Sequence, residues 1–220
     1  IRSTLNPGTC DKLEKKYKNF KIIVLRPKEN LGFAGGHNLG ISYAMENNAD
    51  YVLVLNNYVE VDKNMLVELL YPPEKDSKIG ATVPKIYFMK GHEYHKDRYQ
   101  KSDLGKVIWY AGGHMDWENI NGVHEGVDEV DKGQFDQDRK IDLLTGCCVL
   151  LSKEAILKVG GFDASYFLYY EDADLNERLK KNGFKIHFAS RALLWHLNAG
   201  STGGSGSVLQ DYFISRNRLL

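Results

Sequence analysis

The sequence predicts an α/β fold, and three observations carry that prediction. Two runs rich in β-branched residues, 20–25 (FKIIVL) and 51–55 (YVLVL), flank a glycine-rich stretch and a helical pattern. Strand, loop, helix, strand is the order of a parallel sheet. Residues 143–151 (LLTGCCVLL) form a long apolar run of strand type. Residues 172–182 place Leu175 and Leu179 on one helical face, and Gly183 follows where a left-handed residue ends a helix.

Taken in order, residues 20–25 read as a buried strand ended by Arg26-Pro27. Residues 30–40 (NLGFAGGHNLG) read as a shaped loop, with a helix starting at Ile41 and ending near Asn47-Asn48. Residues 51–55 are a second buried strand, stopped by Asn56-Asn57. Residues 61–71 suit a helix with apolar Leu66, Leu69 and Leu70, closed by Pro72-Pro73. Residues 91–103 are polar and suit an exposed or mobile loop, and 105–142 suit short antiparallel strands and loops. A strand over 143–151, a short helix over 153–159, strands at 185–188 and 192–195, a flexible loop at 200–206 and a helix opening at Tyr212 complete the chain. With no internal repeat and no dividing linker, one domain over 1–220 is expected.

Composition narrows the function classes. Over 220 residues, 43% are hydrophobic and 26% charged, which argues against disorder, collagen-like repeats and a disulfide scaffold. Twenty-nine basic residues balance twenty-nine acidic ones, so no global charge points to nucleic acid. Cys147 and Cys148 sit in an apolar run and read as buried reduced thiols, which fits a reducing compartment. No run approaches the roughly 18 apolar residues of a membrane span, and residues 1–7 carry no signal-peptide core. A cytoplasmic location is expected, either alone or as the soluble part of something larger.

Four segments carry candidate chemistry. Residues 32–38 (GFAGGHN) let backbone N–H groups approach a ligand, and a following helix N-terminus favours anions; a plain turn with Asn38 as a cap is the other reading. Residues 56–62 (NNYVEVD) follow a strand end, where α/β sheets bind ligands. Glu60 and Asp62 there suit a hard divalent cation, or a turn in which Asp62 caps the next helix. Residues 167–174 (FLYYEDAD) open a helix with three carboxylates beneath an aromatic wall. Glu171 and Asp172 point in different directions, so one suits a general base while the other anchors substrate; dipole stabilisation alone would also favour acids there. His196 follows Leu193-Leu194-Trp195 and reads either as a core residue or as a ligand. His92, His95, His114 and His124 show no metal spacing.

In this order, residues 29–41, 51–57, 143–151 and 159–186, the Trp195-His196 pair and residues 215–218 resemble family 2 glycosyltransferases of GT-A fold, in the rhamnosyltransferase-like branch. The resemblance implies a mixed, mainly parallel sheet flanked by helices. It implies an inverting transfer from a dTDP-, UDP- or GDP-linked sugar to a saccharide or lipid-linked acceptor in cell-surface polysaccharide synthesis. Asp172 would be the base, with Glu171 beside it. Asn30, Gly35, Gly36, His37, Asn38, Asn56 and Asn57 would face the nucleotide-sugar. Gly112, Gly113, Thr145, Gly146, Trp195 and Arg216 would line the sugar or acceptor side. His196, with Glu60, would hold a Mg or Mn ion. A lipid-linked acceptor would place the chain peripherally at the inner face of the cell membrane.

Two departures from the family stand in the sequence. Tyr58 occupies the place of the metal-binding aspartate, so Glu60 is the remaining candidate ligand and a non-catalytic or weakened nucleotide-sugar-binding relative is the alternative reading. The resemblance implies that the first βαβ segment of the family is lacking, so a neighbouring strand edge is expected to be covered by another segment or by homodimerisation.

Overall fold

A computed structural model describes residues 21–197 and 207–220. The chain divides into two compact units, Ile1–Asn30 and Leu31–Leu220. In the first unit the described residues 21–30 carry no strand, and Ile23, Val24 and Leu25 are exposed. The strand expected over 20–25 is thus not seen in its described part. β-branched propensity alone does not make a strand.

The second unit is a mixed sheet with helices against it. Helix α1 (Gly32–Glu46) leads to β1 (Tyr51–Leu55), β2 (Val59–Val61), α2 (Met65–Lys75) and β3 (Ile79–Phe88). Short strands β4 (Ile108–Tyr110), β5 (Gly113–Asp116), β6 (Asn121–His124) and β7 (Arg139–Ile141) follow. The chain continues through β8 (Cys148–Ser152), α3 (Lys153–Val159), α4 (Glu171–Lys181), β9 (Lys185–His196) and α5 (Val208–Asn217). The main sheet runs β1-β8-β3-β9-β2, with β4 on β3 and β7 on β9, while β5 and β6 form a separate hairpin. Only the β3–β9 pairing is parallel among the described strands. The sheet is therefore mixed, as expected, but not mainly parallel: short returning strands, rather than crossover helices, fill its edges.

The glycine-rich segment expected as a loop over 30–40 is helix from Gly32 onward. Gly32 (φ +69°) makes the entry, and a Cβ there would collide with the Phe167 carbonyl. That carbonyl accepts from Phe33 N (2.7 Å) and Ala34 N (3.3 Å), which satisfies two of the orphan donors of the first turn. Tertiary anchoring outweighs the helix cost of Gly35, Gly36 and Gly40. In α2, Pro72 and Pro73 lie inside the last turn rather than closing it, and the helix runs on to Lys75. Asp62 serves the turn before this helix, its Oδ1 accepting from Asn64 N at 2.8 Å.

Every residue of β3 is buried, because β8 and β9 flank it. Its ladder with β9 jumps from Pro84↔Ala189 to Lys85↔Leu193. Pro84 has no N–H to give, and residues 190–192 bulge out; Ser190 then bonds Asp138 (2.7 and 2.9 Å) instead. This bulge lets one strand, β9, replace the two expected at 185–188 and 192–195. Lys85 is buried, and its Nζ donates to Asp131 (2.9 Å) and Asp136 (2.6 Å), tying the 126–138 loop to the sheet. The long strand expected over 143–151 starts only at Cys148. Upstream, Leu144 N donates to Asn176 Oδ1 (3.1 Å) and the Leu143 carbonyl accepts from Tyr110 (2.7 Å), so side chains take the place of a ladder. Helices α3 and α4 and the short strands of 105–142 fall where the sequence places them. Cys147 and Cys148 are buried thiols, and burial pushes Cys147 up to about 12.

Candidate active site

A cavity of about 420 Å³ opens beside the carboxyl ends of β1 and β9, a size that suits a small molecule. The N-terminus of α4 contributes Glu171, Asp172 and Ala173, and the loop before it Leu168, Tyr169 and Tyr170. Asn56 and Tyr58 come from the segment after β1, and His196 from the end of β9. The β5–β6 hairpin and β4 supply Asn121, Gly122, His124 and Trp109, while Thr145 and Gly146 close the floor. Phe33 of α1 and Gln210 and Ile214 of α5 complete the wall. No lysine or arginine lines this cavity among the described residues.

The acids stand there for local reasons. Glu171, Asp172 and Asp174 occupy the first turn of α4, and Arg178, Lys180 and Lys181 the last, matching the helix dipole. Asp172 is half-buried; its Oδ2 accepts from Gly146 N (3.1 Å) and its Oδ1 from Ala173 N (2.9 Å). Glu171 is buried at 5% exposure, and its Oε2 has no partner. Burial, reinforced by the neighbouring Asp172 charge, pushes Glu171 up to about 8. The two adjacent acids therefore differ: at neutral pH Glu171 holds a proton and can donate a hydrogen bond into the cavity.

Two imidazoles flank the Trp109 ring, His196 at 4.8 Å and His124 at 5.0 Å, both edge to face. Burial draws His196 down to about 4, so it is neutral near pH 7. Its Nε2 lies 3.5 Å from Asn56 Nδ2, and its Nδ1 is buried without a partner. His124 is also drawn down by burial, against the opposing pull of Asp172.

Of the residues singled out from the sequence, Glu171, Asp172, Asn56, Thr145, Gly146 and His196 meet in this cavity. The others stand elsewhere. Asn30 ends the first unit. Gly35, Gly36, His37 and Asn38 are inside α1. His37 packs on Phe33 (4.3 Å), and Asn38 holds the backbone of Phe162. Asn57 is exposed. Gly112 and Gly113 are buried, where a Cβ would press on Arg139 and Ile141 and collide with the Val123 carbonyl, respectively. Trp195 stacks on Tyr87 (5.9 Å) and donates to the Gly105 carbonyl (2.8 Å). Arg216 bonds the Ser165 carbonyl.

The pairing of Glu60 with His196 as metal ligands is corrected by strand geometry. Glu60 lies opposite Trp195 and Val59 opposite His196, and successive side chains on a strand alternate faces. Glu60 therefore shares the Trp195 face, away from His196, and is exposed. Trp109, Asn121, His124 and Gln210 were not legible as site residues, because no spacing in the sequence links them to Asp172.

The fold is that of the GT-A transferases. A solved structure of GalNAc-T7 with UDP, GalNAc and Mn2+ matches with a TM-score of 0.64 at 18% identity, over 92% of this chain and 37% of that one. A family model, "Glycosyltransferase like family 2", matches residues 8–218, and the chain belongs to that family. The N-acetylglucosaminyl-diphospho-decaprenol L-rhamnosyltransferase of Mycobacterium tuberculosis is 28% identical over 204 residues, 89% of this chain and 64% of that protein. Rhamnosyltransferase WbbL of Escherichia coli is 25% identical over 193 residues, 76% of this chain and 68% of that protein. The chain thus spans about two thirds of the length of these relatives.

Proposed function

We propose that the chain transfers a sugar, of the rhamnosyl class, from a nucleotide-diphosphate donor to a hydroxyl of a saccharide or lipid-linked acceptor, with inversion, in cell-surface polysaccharide synthesis. The observation that carries this reading is the pair Glu171–Asp172 at the mouth of α4, facing a cavity walled by Trp109, Tyr169 and Tyr170. Aromatic faces cover the apolar side of a sugar ring, and carboxyl groups meet its hydroxyls. Asp172 takes the proton of the acceptor hydroxyl as its oxygen attacks the anomeric carbon. The bond to the diphosphate breaks, and the diphosphate leaves with the electron pair. Glu171, protonated, donates to a sugar oxygen and holds the ring in place. The named acceptor of the mycobacterial relative supports a lipid-linked substrate. No described helix is long and apolar enough to cross a membrane.

The Mn2+ of the solved relative raises the question of a metal here. The residues present do not fit one: no three His, Cys, Asp or Glu side chains group together among the described residues, and Glu60 faces away from His196. The proposed chemistry accordingly rests on the two carboxyl groups. With two acids and no lining lysine or arginine among the described residues, the cavity suits uncharged sugar rings better than the diphosphate itself.

The test is transfer from dTDP-rhamnose, and from UDP- and GDP-sugars, to a lipid-linked N-acetylglucosamine acceptor, read by mass spectrometry. Product formation that Asp172→Asn abolishes supports the reading. Nucleotide binding without turnover supports the binding-only alternative, which the Tyr58 side chain in the cavity wall favours. Neither binding nor turnover overturns both.

A further inference from the structure

The loop that carries the cavity wall is held in an unusual backbone. Phe167, Tyr169 and Tyr170 all have left-handed φ angles, +63°, +67° and +69°. Such conformations cost a non-glycine residue of order 1–3 kcal/mol each and persist only when the surroundings impose them. Glu171 and Asp172 follow directly, so the course of this loop decides where both acids stand.

One side chain reaches three of the loop's carbonyls. Asn217, in the last turn of α5, is 2% exposed. Its Nδ2 lies within hydrogen-bond distance of the carbonyls of Tyr166 (2.9 Å), Leu168 (2.8 Å) and Tyr169 (2.7 Å), which share its two N–H groups. Three carbonyls converge on one amide only when the chain curls around it. The opposite side of the loop is held by α1, through the Phe167 carbonyl. The flanks are apolar: Phe167 stacks on Phe213 at 5.1 Å. At the far end, the Tyr170 hydroxyl donates to the Ile120 carbonyl (2.7 Å), closing the loop against the β5–β6 hairpin.

We propose that Asn217 is a positioning residue: its amide pins the left-handed 166–170 loop and thereby sets the place of Glu171 and Asp172 in the cavity. Asn217 does not line the cavity and touches no reacting atom. The catalytic part of the proposal rests on the transferase reading; the structural part does not.

Two measurements on Asn217→Ala and Asn217→Asp test it. Asp keeps the shape but turns an acceptor toward three carbonyls, so it should fare no better than Ala. Amide hydrogen exchange should rise about tenfold or more over residues 165–174 while the β3 and β8 amides keep their protection. Under conditions where the variants are folded, kcat should fall about 10- to 100-fold with donor KM within about twofold, and the pH profile of kcat should shift as the acids move. Unchanged exchange over 165–174 overturns the clamp. Uniform loss of protection, with activity lost only in proportion to unfolded chain, reduces Asn217 to general stability and overturns the proposal. A wild-type chain that transfers nothing overturns the transferase reading and the catalytic part together, and the exchange result still decides whether Asn217 holds the loop.

Discussion

Asn38 holds the backbone of Phe162 with both ends of its amide: Nδ2 donates to the Phe162 carbonyl at 2.6 Å, and Oδ1 accepts from the Phe162 N–H at 2.8 Å. The bond pair joins α1 to the turn after α3, across a close approach at Gly161, where a Cβ would collide with the Asn38 side chain. A residue that the family likeness assigns to the nucleotide is in this structure a fastener of two elements. Asn38→Ala should therefore cost about 2 kcal/mol of stability by urea unfolding, since it leaves two backbone groups unpaired. Nucleotide affinity of the folded variant, by calorimetry, should stay within about twofold. A large loss of affinity without loss of stability would return Asn38 to the ligand.

Asp172→Asn should lower kcat about 10²- to 10⁴-fold, the range of a lost general base. Donor KM should hardly move, because the carboxylate acts on the acceptor hydroxyl. Steady-state kinetics at saturating acceptor decides it. A comparable rise in KM with kcat intact would make Asp172 a binding group.

Glu171 titrates near 8 in the folded chain, against an ordinary value of 4.5. The folded state thus holds an extra proton between those values, and this contribution to stability is lost as pH rises from about 4.5 through about 8. Glu171→Gln mimics the protonated acid, so the variant should gain stability over wild type as pH climbs through that window. Thermal melts at pH 5, 7 and 9 test this: the difference between the two proteins should grow with pH, and a constant difference would sink the idea.

Lys85 is a buried lysine, its side chain 2% exposed against 10% for Asp131. Lys85→Met should cost about 3 kcal/mol, because it leaves a buried carboxylate short of its cation. Adding Asp131→Asn should recover a good part of that loss. Denaturant unfolding of the single and double variants measures it, and additive losses would show that the pair is not coupled.

Much of the fold was legible before the structure. The β-branched run at 51–55, the i, i+4 spacing of Leu175 and Leu179 and the glycine at 183 report local preferences; the strand, the helix and its end stand where they are expected, although Val54 alone of 51–55 is fully buried. Segment 30–40 was misread because glycine content argues against helix, while the force that makes α1 is a hydrogen-bond anchor on Phe167, far along the chain. The strand expected at 20–25 has β-branched residues, yet its described part, 21–25, is not a strand. For the site, the acids and His196 were visible as motif residues. Trp109 and His124 were not, since a cavity wall drawn from three separate strands leaves no periodic trace.

The sequence by itself determined the class of fold, the family and the acidic start of α4, because periodicity, capping and motif order are local properties of a chain. Only the tertiary structure decided that Glu60 and His196 occupy opposite faces, that Asn38 bonds the Phe162 backbone, and that Asn217 reaches back to the 166–170 loop. Those outcomes depend on strand register and on contacts between residues far apart in sequence. A one-residue change of register reverses every side chain on a strand, and no local pattern in the chain records it.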